Sequence, residues 1–249
     1  LGAHLTPTVG ADHADYVKIL RQRNSLLRRD GRSADRLTLD VWDERLAEAG
    51  ARVFTNRLRL LDRLGPVVAE AYHTVGGGAD TVTWDYRAGW SDGSSEAAAR
   101  EPAAHAVQLR RALSERRERD LDQRTTTAGP HRDEPILRLS SRDARTGASQ
   151  GEQRSAALAL RLAAYTLLEA RHGQPPILLL DDVFSELDPA RSSGVMELLP
   201  RGQVFVTTAR EDEVPVSGTT WLVGGGAVEA RPGTAPMSND GRGRHDQRG

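Results

Sequence analysis

Two adjacent carboxylates, Asp181 and Asp182, follow directly on four large aliphatic residues, Ile177 to Leu180, which are themselves preceded by Pro175 and Pro176. Four aliphatics between prolines and acids are too few for a helix and predict a buried strand of a mostly parallel sheet. The acids then stand at the strand's C-terminal edge, where open α/β sheets bind ligands. Such a pair suits one Mg²⁺ held partly through water, with Asp181 as the metal acid and Asp182 as the base that orients or deprotonates an attacking water. The plainer alternative is that the pair ends a strand and begins a turn. Ser185-Glu186-Leu187-Asp188 follows three residues later.

The elements that must position these acids are legible upstream. Ser149-Gln150-Gly151-Glu152 has the Ser-x-x-Glu spacing of a capping box, in which Ser149 accepts from the Glu152 amide and Glu152 reaches back to the Ser149 amide. The stretch from Ser155 through Ala170 carries Ala and Leu on nearly every face, which predicts a helix over 151–171 buried on most sides. With Gly147 and Gly151 leaving backbone amides uncovered, the N-terminus of that helix is an anion site by its donors and its dipole. Read alone it is equally an ordinary capped helix. What favours chemistry is the order of parts: capped helix, buried strand, acid pair, Ser-x-Leu-Asp turn.

That order resembles the ABC-type ATPases. Ala148 to Gln153 is similar to their signature loop, Ile177 to Asp182 to their Walker B strand, and Ser185 to Asp188 to their D-loop. Three further segments, Arg21 to Leu27, Trp42 to Ala47 and Ala128 to Asp133, are similar in order to the bacterial RecF family of recombination mediators, a resemblance covering about residues 13–230. The resemblance implies an α/β fold, the C-terminal lobe of an ABC-type P-loop ATPase head with a helical arm domain. It also implies a slow DNA-dependent ATPase that uses ATP and Mg²⁺ and forms a homodimer in ATP. Such a protein binds DNA at single-strand gaps, supports recombinase loading and SOS induction, and meets other recombination mediator proteins. By the same resemblance Asp181 is the metal ligand and Asp182 the catalytic residue. Ser149, Gln150, Gly151 and Glu152 face the third phosphate held by the opposite protomer, Asp188 bridges the two sites, and Thr207 or Thr208 stands where the family's switch histidine is expected.

The departures from the pattern are specific. The sole lysine is Lys18, in a helical stretch with no glycine-rich loop before it, so the Walker A half that grips the β and γ phosphates is absent. With Leu1 in place of an initiator Met, the chain reads as a C-terminal portion of a longer polypeptide and is not expected to hydrolyse ATP by itself. Asp182 is one methylene shorter than the Glu most ABC enzymes carry, Gln150 interrupts the signature pattern, and a threonine cannot act as an imidazole. Two rivals stand beside this reading: an SMC or double-strand-break type ATPase half, whose coiled-coil arm is far longer, and a non-catalytic interaction module.

Composition bounds the rest. A chain of 249 residues can bury one core plus a helical appendage. A net charge of −1 provides no global field for nucleic acid, so phosphate contacts must be local. The densest cationic cluster, Arg110-Arg111 and Arg116 to Arg119, lies on a predicted helix from about Glu96 to Leu121 and reads as a solvated face laced with Glu115 and Glu118. Zero cysteines exclude disulfides, and no run of about eighteen apolar residues exists, so a cytoplasmic protein without a membrane partner is expected.

Three regions follow: a helical arm over 1–122, an ATPase lobe over 123–230, and a polar tail over 231–249 expected to be disordered. In the arm, helices are predicted from Tyr16 to Arg29 and from Leu39 to Leu64, the second broken by Gly65-Pro66, and a strand over Thr81 to Tyr86. In the lobe, strands are predicted near Thr125 to Thr127, Ile136 to Leu139, Ile177 to Leu180, Val204 to Thr208 and Trp221 to Val223, with a second helix at about 189–199. Gly129 to Asp133 sits between two predicted strands, where His131 and Arg132 could meet nucleotide, DNA or a partner lobe. The alternative is a turn with Asp133 pairing Arg132 or capping a neighbour.

Overall fold

The computed structural model describes residues 1–76, 80–91, 101–210 and 218–231. The arm begins with a short α1 (Gly2–Leu5), then α2 (Pro7–Asp30), which ends in a 3₁₀ turn at Gly31–Ser33, and α3 (Arg36–Gly76). α3 is not broken at Gly65-Pro66 as the sequence predicts. Its 41 residues form one helix, about 60 Å long at 1.5 Å per residue. Pro66 forgoes the bond to the Asp62 carbonyl, a cost of about 3 kcal/mol. Beyond it, however, Val68, Ala71, Tyr72 and Val75 are buried. Burying the two valines at about 1.5–3 kcal/mol each already offsets the loss.

After α3 come β1 (Val82–Arg87), α4 (Pro102–Glu115), α5 (Arg117–Gln123), a 3₁₀ turn at Pro130–Arg132, β2 (Glu134–Leu139) and β3 (Arg142–Asp143). The single helix expected to end at Leu121 is therefore two, and its expected start near Glu96 lies outside the described residues. The break falls at Arg116 (φ −95°, ψ 3°), whose guanidinium is anchored on the carbonyls of Gly89 and Thr127. The strand expected at Thr125–Thr127 does not form. The amides of Thr126 and Thr127 donate instead to Asn24 Oδ1 at 2.8 Å and Asp120 Oδ1 at 2.9 Å, so side chains take the bonds a neighbouring strand would have offered.

The lobe continues with α6 (Gln150–His172), β4 (Leu178–Asp181), α7 (Pro189–Leu198), β5 (Val204–Thr207), β6 (Thr220–Gly224) and β7 (Ala227–Arg231). β4 and β5 are parallel, in register Leu178 with Val204 through Asp181 with Thr207. The remaining described strands are antiparallel: β1–β2–β3 in one sheet and the β6–β7 hairpin in another. The expectation of a mostly parallel sheet thus holds only for the pair that carries the acids. β4 is also buried on one face only, with Leu178 and Leu180 inside and Leu179 71% exposed. β7 is an element the sequence did not predict. It exists because Gly225 (φ 57°) and Gly226 (φ 80°) supply the left-handed pair a two-residue hairpin turn needs. The tail after Arg231 lies outside the described residues.

Arm and lobe meet in two buried clusters. Leu64, Val68, Ala71 and Tyr72 of α3 pack with Leu139 of β2 and Ala156, Ala159 and Ala163 of α6, and β1 pairs with β2 along its whole length. Val75, at the end of α3, packs with Leu158, Leu180 and Val195 from α6, β4 and α7. α7 sits so close to α3 that a Cβ on Gly194 would lie 2.2 Å from the Thr74 carbonyl oxygen.

Candidate nucleotide-hydrolysis site

At the C-terminal end of the parallel pair, β4 terminates in Asp181 and β5 in Thr207, directly opposite each other. The Thr207 hydroxyl donates to Asp181 Oδ1, and the Asp182 amide donates to the Thr207 carbonyl at 2.9 Å. Asp182 then leaves the sheet in the left-handed region (φ 52°). A non-glycine residue held there costs of order 1 kcal/mol, with Asp among the side chains that tolerate it best. Its carbonyl accepts from Ser185 Oγ at 2.9 Å, which ties the acid pair to the following 3₁₀ turn at Phe184–Glu186. Both acids are exposed at this rim. The structure thus brings Asp181, Asp182 and Thr207 together as one cluster.

The capping box is present in both directions. Ser149 Oγ accepts from the Glu152 amide at 3.3 Å, and Glu152 Oε2 accepts from the Ser149 amide at 2.6 Å. Arg142, from β3, grips Glu152 Oε1 at 2.9 Å, and this bond together with those from Ser149 holds the Glu152 carboxyl down at about 2. Gln153 fixes the preceding loop by donating to the Arg145 and Ala148 carbonyls at 3.1 and 3.0 Å. Glu152 is therefore committed to building the turn, while Ser149 and Gln150 are exposed in front of it. The first-turn amides of Gln150 and Gly151 remain directed along the helix axis, as at any helix start.

Asp188 joins the capped helix rather than the acid pair. It is the N-cap of α7, accepting from the Arg191 amide at 2.9 Å and from Arg191 Nη1 at 2.7 Å. The Arg191 guanidinium in turn rests on the first turn of α6, where a Cβ on Gly151 would come within 2.9 Å of Nη1. Sequence reasoning passed over Arg191 and Arg142. The signal for Arg191 was its i, i+3 spacing from Asp188; Arg142 had none, because it reaches Glu152 across a turn.

The donor set fits part of an ATP and Mg²⁺ site. Among the described residues no group of three or more His, Cys, Asp or Glu is assembled that could cage a metal. Two carboxylates and a hydroxyl at a rim suit Mg²⁺, which keeps several waters and completes its shell with phosphate oxygens. The α6 turn suits a terminal phosphate. Nothing in the sequence supplies the glycine-rich loop and lysine for the other phosphates.

Gly129–Asp133 is engaged internally. His131 Nε2 lies 3.1 Å from the Thr126 carbonyl and Nδ1 2.6 Å from the Tyr16 hydroxyl. Because a carbonyl only accepts, Nε2 carries the proton and Nδ1 accepts from Tyr16. Asp133 does not pair with Arg132. It accepts from Trp90 Nε1 at 2.8 Å and Tyr86 Oη at 3.3 Å, and burial pushes its carboxyl up to about 6.

The fold and this rim define an α/β lobe of the ABC-type ATPase class carrying a helical arm. Two solved structures of the recombination mediator protein RecF in the RecFOR pathway have this fold. The RecF-ATP structure matches with a TM-score of 0.78 at 29% identity over 92% of this chain and 60% of that one. The RecF-ATPrS structure matches with a TM-score of 0.76 at 28% identity over 91% and 59%. In sequence, the chain is 42% identical over 234 residues to the DNA replication and repair protein RecF of Streptomyces avermitilis, covering 90% of this chain and 61% of that protein. It is 42% identical over 232 residues to RecF of Frankia alni and 37% identical over 236 residues to RecF of Myxococcus xanthus. No family model matches the chain. The RecF resemblance read from the motifs is thus shown over about nine tenths of the chain, which spans 61% of the length of these relatives.

Proposed function

We propose that the chain provides the signature, Walker B and D-loop half of a RecF-type ATPase that acts in the cytoplasm. In this reading ATP and Mg²⁺ are held between two protomers. Asp181 takes the metal and Asp182 positions the attacking water. Ser149 and the α6 turn meet the third phosphate of the opposite protomer, and Asp188 lies at the junction. ATP then closes the dimer through contacts that only the third phosphate makes, and hydrolysis reopens it. The closed dimer binds gapped DNA, supports recombinase loading and SOS induction, and works with other recombination mediators. The observation that carries the proposal is the pairing of Asp181 with Thr207 at the end of the one parallel strand pair among the described residues, in a lobe whose α6 starts in a fully formed capping box. The test joins this chain to the phosphate-cradling portion of a RecF relative. Asp182→Asn should retain ATP-driven dimerisation in sedimentation and lose turnover, whereas Ser149→Arg should lose dimerisation. Normal turnover in the first variant removes Asp182 from the mechanism.

For DNA, the arginine cluster on α4 and α5 is largely spent. Arg110 pairs with Glu44, Arg111 with Glu115 and Arg117 with Asp40 and Asp43, while Arg116 holds two carbonyls. Lys18, Arg21 and Arg28 instead recur along one exposed face of α2. Lys18 shares a groove with Arg45, whose guanidinium sits 5.8 Å from the Trp42 ring centroid, and with the acids Asp15, paired to Arg52, and Glu48. A cationic track with an aromatic beside it suits a sugar–phosphate backbone irrespective of sequence. Replacing Lys18, Arg21 and Arg45 by Ala should flatten the slope of log affinity against log salt by about two to three, the release expected for three phosphate contacts. An unchanged slope in fluorescence anisotropy places the contacts elsewhere.

A further inference from the structure

Arg191 occupies a position that no motif accounts for. It takes both oxygens of Asp188, Oδ1 through its amide at 2.9 Å and Oδ2 through Nη1 at 2.7 Å. Its guanidinium lies against Gly151, so that a Cβ there would meet Nη1 at 2.9 Å and Cζ and Nη2 at 3.2 Å. Nε is buried without a hydrogen-bond partner among the described residues. A cation beside a helix N-terminus faces the positive end of the dipole and gains nothing from it. The placement is held by Asp188 on one side and by the absence of a side chain at Gly151 on the other. Lysine could form the same single charge-assisted bond to Asp188 that Nη1 makes, but only the planar guanidinium can at the same time lie flat on a backbone turn.

We propose that Arg191 is a positioning residue, a strut that ties the D-loop acid Asp188 to the anion-facing first turn of α6 at Gly151, so that the two shift as one unit. Its relevance to ATP rests on the function proposed above; the linkage itself does not. If both segments face the partner protomer, a displacement at either is delivered to the other, and the linkage is reciprocal by thermodynamic necessity.

The test is amide hydrogen exchange on this chain, without nucleotide. Asp188→Ala should speed exchange at the bonded first-turn amides of α6, Glu152 and Gln153, by at least about 5-fold, the lower range of measurable site coupling, and should fray the first turn of α7, which loses its N-cap. In an Arg191→Ala background Asp188→Ala should still fray α7 and should leave Glu152 and Gln153 as they are. Arg191→Lys should protect α7 and fail to protect α6. Gly151→Ala supplies the reciprocal arm: pushing the guanidinium off α6 should fray α7, a different helix. Equal α6 effects of Asp188→Ala with and without Arg191, or no effect of Gly151→Ala on α7, overturn the strut. Loss of ATP-driven closure in the joined protein with the exchange pattern intact would instead count against the proposed function alone.

Discussion

At the scale of single residues, the segment Gly129–Asp133 shows how a motif that invites a functional reading also carries structural contacts. Tyr16 meets its His131, Tyr86 and Trp90 meet its Asp133, and that acid is partly buried. Burial raises the Asp133 carboxyl from its usual value to about 6. The folded state therefore binds this proton more tightly than the unfolded chain. Its contribution is fully present below about pH 4 and is lost as pH rises through about 6. Asp133→Asn mimics the neutral acid and should remove that loss. Relative to wild type the variant should gain about 1–2 kcal/mol between pH 4.5 and 7, a value reduced from the full shift because the residue is only partly buried. Urea midpoints at the two pH values measure it; a constant difference between the proteins would mean that Asp133 does not titrate in this window. The same segments explain part of what was legible. Arg23 and Asp43 lie in two of the stretches that carry the RecF likeness, and they meet as a fully buried pair at 2.6 Å, joined by Asp120 at 2.8 Å. The sequence shows that such residues matter without showing that they matter to folding.

At the scale of elements, periodicity and capping located α6, α7, β2, β4 and β5 to within a few residues, because each announces itself locally; α2 matched at its C-terminal end but starts at Pro7, nine residues before the expected Tyr16. Capping boxes and strand-ending acids are short-range signals. The errors came where long-range packing overrules a local signal. Pro66 reads as a breaker, but the apolar residues beyond it are buried against β2, α6 and α7, so α3 continues. Thr125–Thr127 reads as a strand, but Asn24 and Asp120 take its amides. The first case is measurable. Pro66→Ala restores the missing backbone bond and should stabilise the chain by about 1–3 kcal/mol. Gly194→Ala should act in the opposite direction by about 1–3 kcal/mol, because its Cβ would collide with the Thr74 carbonyl, which backbone cannot easily yield. If Pro66→Ala lowers the thermal midpoint, the proline is holding a bend the packing requires rather than opposing it.

At the scale of the whole molecule, α3 carries both units: its first half packs in the arm with Leu109 and Trp90, and its second half in the lobe with α6 and α7. The arm buries a few charges as pairs, Arg23 with Asp43 and Asp120, and keeps the rest at its surface, whereas the lobe keeps apolar surface in water. Leu179 is 71% exposed and Phe205 49% on the β4–β5 pair, and Ile177, just before β4, is 60% exposed. Trp221, Leu222, Val223 and Val228 are exposed on the β6–β7 hairpin. Contiguous apolar sheet surface with open edges drives association in water. The isolated chain should therefore sediment with a mass that rises with concentration. Leu179 and Phe205 stand directly opposite each other across the strands. Leu179→Lys with Phe205→Glu places a complementary pair on that face and should return the chain to a monomer, with helix content and melting unchanged because neither side chain is in the core. Persistent association of the double variant would move the sticky surface to the hairpin, where Trp221→Lys is the corresponding change. A wild-type chain that stays monomeric at high concentration would show that the β4–β5 face does not drive association.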